Sequence, residues 1–258
     1  MAPVTNTVVL PHALKTPAFI KLSNNKRVVL ASASPRRKEI LSTFGINPDI
    51  IPSTFEETLS HTDYPNVYEY PVATATEKAV EVYERLVHDD PENPPDLTFD
   101  TVFSFLSADT VVLSRIEPAT SNLGIGLEHD IRPEILEKPT SKVDNLRMLL
   151  DMNGRSCEVV TGVSVVFPIL TAPGYAIKSM DERSVVYFAD NPVPLLEAYV
   201  DNGEGLDRAG GFAVQGLGGM LIRKVDGDWH NVVGFPAAAF FKFLEILVEE
   251  EDDFLAVD

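Results

Sequence analysis

The stretch "RVVLASASPRRKEIL", residues 27–41, constrains the fold of this chain more than any other segment. Its first half is a short β-branched run of the kind that becomes a buried strand. Its second half opens a helix. Ser34 stands where an N-cap belongs, and Pro35 takes the first helical position, where a missing N–H costs nothing. Ile40, Leu41 and Phe44 give the helix an apolar face, and Gly45 ends it. A helix start presents unpaired N–H groups and the positive end of the helix dipole. Arg36, Arg37 and Lys38 crowd that same end, where cations are unfavourable. A bound anion resolves the conflict, since arginine grips phosphate oxygens with two hydrogen bonds. The alternative is a solvated basic helix face.

The remaining pattern gives an α/β class: a mixed, twisted sheet with flanking helices in more than one lobe. "PDIIPSTF" reads as a second strand. Val72, Ala75, Ala79, Val82, Tyr83 and Leu86 recur at helical spacing and predict an amphipathic helix over 72–88. "TVFSFLSADTVVLS" is strand material, and 156–168 and 175–188 predict two long strands. A helix is expected at 141–153 with Val143, Leu146, Leu149 and Leu150 inward, another at 194–200, and a last one in "PAAAFFKFLEILVEE". "GGMLIRKVDGDWHNVVGF" reads as a hairpin turning near Asp226 and Gly227. Residues 1–26 read as a flexible extension, 88–99 and 114–133 as surface insertions, and 249–258 as a frayed acidic tail.

Composition excludes several classes of function. A net charge of -18 repels nucleic-acid polymers and anionic membranes as a whole. Cys157 is the only cysteine, so neither an internal disulfide nor a cysteine-based zinc site can form. No apolar run reaches the roughly 20 residues of a membrane helix. The N-terminus makes a poor signal peptide, so a cytoplasmic location is expected.

Among single residues, Asp109 in "SADTVVL" stands out. An acid inside a strand is costly unless it meets a metal, a proton-transfer role or a hydrogen-bond network; capping a strand end is the plainer reading. Glu56, Lys78 and Lys138 carry little weight alone. "LDRAGGFAVQGLGG" lacks the glycine spacing of a dinucleotide fingerprint, and its glycines read as hairpin and bulge positions beside Gln215.

Taken in order, "LASASPRRKEIL", "EE", "EKA", "ADTVV", "LEKP", "GRSCEVVTGVSVV", "DRAGGFAVQGLGGMLI" and "NVVGFP" resemble the Maf family of nucleoside-triphosphate pyrophosphatases over about Arg27 to Phe243. The resemblance implies an inosine-triphosphatase-like fold, with two lobes around a nucleotide-binding cleft, over 27–248. It implies hydrolysis of a nucleoside triphosphate to the monophosphate and pyrophosphate. Asp109 matches the proton acceptor, and Ser32, Arg36, Arg37, Lys38, Lys78 and Lys138 match the phosphate-site positions. Glu56, with Asp109, matches the acids that hold a divalent cation (Mg²⁺, Mn²⁺ or Co²⁺). Arg36, Thr110 and Gln215 match the subgroup preferring dTTP and UTP, where an amide can pair with the O4/N3–H edge of uracil. Modified pyrimidines such as 5-methyl-UTP or pseudo-UTP are expected substrates too. Members often form homodimers. Some eukaryotic relatives carry a methyltransferase-like domain after this region, which is not expected here. A nucleotide sensor linked to cell division, without turnover, is the rival reading. Arg208 departs from the usual lysine, and Phe212 and Val214 from the usual tyrosine and isoleucine.

Overall fold

The computed structural model describes residues 8–23, 27–88, 103–114, 133–169 and 171–250. Nearly all of both expected insertions and of the tail lies outside these residues, as do 1–7 and 24–26 of the expected extension. In chain order the elements are α1 (Pro17–Leu22), β1 (Arg27–Leu30), α2 (Pro35–Thr43), β2 (Asp49–Ile50), α3 (Glu69–His88), β3 (Phe103–Ser114) and β4 (Ile135–Leu136). There follow α4 (Lys142–Met152), β5 (Ser156–Pro168), β6 (Tyr175–Phe188), α5 (Val193–Asn202), β7 (Ile222–Asp226), α6 (Trp229–Val233) and α7 (Ala237–Glu250). The strands run in the order β2-β1-β3-β5-β6-β7, with β4 on β3. β1 is parallel to β2 and β3, while β3–β4 and β6–β7 are antiparallel. The expected mixed α/β sheet is what forms. The chain divides into two compact units, one of residues 1–109, 161–182 and 234–258, the other of 110–160 and 183–233.

In the first unit, β1 is buried from Val28 onward because strands flank it on both sides. Ala79, Val82 and Tyr83 of α3 pack with Val29, Ala31, Phe105 and Val166, as the helical spacing predicts. The second strand is shorter than expected: β2 stops at Ile50, and Pro52 has no N–H to extend a ladder.

Residues 8–22, expected as part of a flexible extension, are folded. Thr16 caps α1 and Pro17 opens it. Phe19 stacks on Phe241 of α7 with ring centroids 5.5 Å apart, the Ala18 N–H donates to the Glu245 carboxylate at 3.1 Å, and Lys21 Nζ donates to the Val248 carbonyl at 3.4 Å. His12 reaches the last carbonyls of α2, 3.0 Å from Ser42 O. Burial of Val8, Ala18, Phe19 and Leu22 stabilises the segment. A six-residue helix is too short for its periodicity to be read.

The second unit packs α4 and α5 around Val112, Leu136, Cys157, Phe188 and Phe212. The expected inward face of α4 is rotated. Asn145, Met148, Leu149 and Met152 are buried, whereas Val143 is 80% exposed and Leu150 44%. The buried stripe has the spacing i, i+3, i+4, i+7, but a polar Asn145 opens it and hides it from a hydrophobicity count. The expected hairpin at 226–227 is also not formed. β7 pairs with β6, and Gly227, at φ +114°, leads into α6 rather than a returning strand. Asp228 accepts the His230 N–H at 2.7 Å, and buried Asn231 donates to Val159 O at 3.1 Å and Ser184 Oγ at 3.0 Å, which draws this segment inward.

Candidate active site

The first unit assembles a charged cluster at the start of α2. Ser34 holds the N-cap position, yet its side chain makes no capping bond. Ser32, buried just beyond β1, braces the approach to the helix instead: its Oγ accepts the backbone N–H of Ser34 at 3.2 Å and a guanidinium N–H of Arg37 at 3.0 Å. Arg37 also donates from Nε to Gly234 O at 3.0 Å. The side chain is therefore folded back and fixed rather than solvated. Burial pulls its guanidinium below the ordinary arginine value, and the charges of Asp109 and Glu57 oppose that shift. Arg36 is partly buried and Lys38 is exposed. The first turn of α2 holds no acid to balance them.

Asp109 lies within β3 with its side chain 13% exposed, and Lys78 of α3, 11% exposed, donates to it at 2.8 Å. The same Nζ meets Glu57 at 2.6 Å. Burial pushes the Asp109 carboxyl above the usual carboxylate range, while Lys78 and Arg37 pull it down. Lys78 is thus a buried cation between two carboxylates. Glu57 sits on a loop fastened to α3 through Glu81, which accepts from Ser53 Oγ at 2.7 Å, Thr54 N at 3.0 Å, Thr54 Oγ1 at 2.8 Å and Arg85 Nε at 2.7 Å.

Burial alone would raise the Glu81 pKa, but these donors outweigh it and bring the carboxyl from 4.5 to about 2. A depressed folded-state value stabilises the fold above the unfolded pKa and is lost as pH falls through the folded one. Glu81→Gln is therefore expected to cost on the order of 1–2 kcal/mol at neutral pH. Thermal melts of the two proteins should converge as pH falls from about 4.5 toward about 2; an equal gap at both ends rules this anchoring out.

In the second unit the segment from Gly203 to Leu221 forms a succession of 3₁₀ turns rather than a hairpin. Gly210 and Gly211 have φ of +66° and +73°, and a side chain on Gly211 would collide with the amide of Asn145. That amide donates to Gly211 O at 2.8 Å. Glu204 accepts the N–H groups of Leu217 at 3.1 Å and Gly218 at 3.0 Å. Tyr199 OH accepts the Ala213 N–H at 3.1 Å. Its burial, then the charge of Glu204, raises the phenol pKa. Exposed Lys138 pairs with Asp207 at 2.7 Å, and Arg208 donates to the same residue.

The profile of the family described as "Maf-like protein" matches residues 27–247. The chain belongs to the Maf family. It is 41% identical, over 85% of its own length, to a human protein named "Probable bifunctional dTTP/UTP pyrophosphatase/methyltransferase protein", of which it spans 32%. It is 36% identical to the "dTTP/UTP pyrophosphatase" of Schizosaccharomyces pombe, over 88% of this chain and 86% of that one. For the protein of the same name from Thermococcus kodakarensis the figures are 34%, 85% and 96%.

In this Maf-family chain, four of the residues expected from sequence, Ser32, Arg37, Lys78 and Asp109, come together in one cluster of the first unit. Lys138 stands in the second unit between β4 and α4, paired with Asp207 of the glycine-rich segment, which also carries exposed Gln215; Thr110 is partly buried on β3. Glu56 is exposed, and the acid that reaches Lys78 is Glu57. Two adjacent glutamates gave no basis for choosing between them. Glu204, Tyr199 and Asn145 were missed as well. Their signal was faint: a glutamate between two glycines, and polar groups at positions of apolar spacing.

Asp109 and Glu57 flank one cation position with two hard oxygen donors. Among the described residues no group of three or more His, Cys, Asp or Glu could hold a metal. Two carboxylates completed by substrate phosphates are nevertheless a common way to hold Mg²⁺, so the donor set fits such an ion.

Proposed function

We propose that residues 27–248 form a pyrophosphatase that hydrolyses dTTP and UTP, with modified pyrimidine triphosphates as further substrates, to the monophosphate and pyrophosphate. The names of its relatives support this reading. The observation that carries it is the buried Lys78–Asp109 pair beside Ser32 and Arg37 at the start of α2, which combines a shielded carboxylate with fixed cations. Ser32, Arg36, Arg37, Lys38 and the positive end of the α2 dipole hold the triphosphate oxygens, assisted by Lys138. Gln215 reads the uracil edge, and Thr110 supports the same preference. Asp109 takes the proton of the attacking water. The water oxygen bonds to the α-phosphorus, the bond from that phosphorus to the bridging oxygen breaks, and the bridging oxygen leaves with pyrophosphate. Lys78 and Arg37 neutralise charge as it builds on the leaving group. Glu57 and Asp109 are the residues that would hold Mg²⁺, Mn²⁺ or Co²⁺, which when bound lowers the pKa of water and screens the phosphates.

The expected partners are small nucleotides, with neither nucleic-acid polymers nor membranes, in keeping with the net charge of -18. No described helix is long and apolar enough to cross a membrane. The cytoplasm and a homodimer complete the reading. The test is a product assay on a panel of nucleoside triphosphates with each cation. UMP or dTMP with equimolar pyrophosphate is expected. Release of diphosphate and phosphate, or tight binding with no turnover of any triphosphate, overturns it; the second result would favour a sensor.

A further inference from the structure

The glycine-rich segment presents Gln215, yet the amide of Gln215 makes no hydrogen bond among the described residues. Its reach is set by the backbone beneath it. That backbone is pinned on both sides by one pair of side chains. Two residues before Gln215, the Ala213 N–H rests on Tyr199 OH at 3.1 Å. Two and three residues after it, the Leu217 and Gly218 N–H groups rest on the two oxygens of Glu204, at 3.1 and 3.0 Å. The charge of Glu204 acts on the Tyr199 phenol, so the two supports are neighbours. Between them Gly216 leaves the room that Glu204 occupies, for a Cβ there would overlap its carboxylate. Tyr199 is buried at 4% exposure, packed in the core of α4 and α5.

We infer that Glu204, acting with Tyr199, is a positioning residue for base recognition: it fixes the height of Gln215 and touches no substrate itself. The inference rests on the proposed reading of Gln215 as the uracil contact. An ionised carboxylate accepts both N–H donors at once, one on each oxygen. Glutamine at 204 keeps the shape but turns an NH₂ group toward a backbone N–H, so one support is lost. The loop then samples more positions, and the cost falls on binding of the base rather than on the chemistry at Asp109.

The experiment is a double-mutant cycle on pyrophosphate release from UTP, using the wild type, Glu204→Gln, Gln215→Ala and the double variant. Glu204→Gln is expected to raise KM for UTP about tenfold while kcat stays within about threefold. In the Gln215→Ala background the same substitution should add nothing to KM. Tyr199→Phe, which removes only the hydroxyl, should show a smaller shift with the same coupling, and it serves if Glu204→Gln does not fold. Full additivity of the two substitutions overturns the inference, as does a loss of kcat with KM unchanged. If wild-type protein releases no pyrophosphate from UTP, or Gln215→Ala leaves KM unaltered, the proposed reading itself fails and takes this inference with it. Those two results are visible before any variant at 204 is made.

Discussion

Asp109→Asn is expected to lower kcat for pyrophosphate release by about 10³-fold while nucleotide affinity changes only a few-fold. The substitution conserves shape and leaves the neighbouring cations in place, so the phosphate contacts survive. What disappears is the carboxylate that takes the proton from water. The fold should tolerate the change, because Lys78 keeps Glu57 as a partner at 2.6 Å. Burial already penalises the Asp109 charge, so a neutral amide relieves part of that cost. Steady-state kinetics and titration calorimetry with a non-hydrolysable triphosphate separate the two effects. A kcat within tenfold of the wild type would remove Asp109 from the role of base.

Lys78→Met should be the most damaging single substitution for stability in the cluster. Removing the cation leaves the carboxylates of Asp109 and Glu57 facing one another, with Asp109 only 13% exposed. Breaking a buried pair strands a charge, at a cost of about 3 kcal/mol, or roughly 5–10 °C in Tm. Activity should fall by about 10²-fold or more as well, since one of the cations facing the leaving group is gone. The double variant Lys78→Met/Asp109→Asn distinguishes the causes. It should recover most of the lost Tm, because the stranded charge is neutralised, and recover no activity. If it melts as low as the single variant, the loss lies in packing around the lysine stem instead.

The strand-to-helix unit at 27–43 and the α3 periodicity were legible because each is a local pattern: a β-branched run, a proline at the first helical position, apolar residues three and four apart. Asp109 was legible as an oddity, an acid where a strand is otherwise apolar. The partner it needed was not, since Lys78 lies 31 residues away and looks like any other helix lysine. The same limit hid Glu57 behind Glu56. The α4 face was misjudged because Asn145 is buried for the carbonyl it holds, at Gly211, and a hydrophobicity pattern has no means to value that. The hairpin at 226–227 failed for a related reason. A turn signal fixes where the chain reverses, whereas Asp228 and Asn231 decide that a helix follows.

The clasp between α1 and α7 has a consequence in time. Ala18 and Glu245 are 227 residues apart, so their bond closes one of the longest loops the described chain contains. During synthesis the Phe19 face emerges long before its counterpart, Phe241. Until α7 emerges, the early helix lacks the surface on which it docks, and contacts of such long range form late. A ribosome that stalls before α7 is complete therefore releases a chain whose first apolar face is open to whatever hydrophobic surface, or chaperone, meets it first.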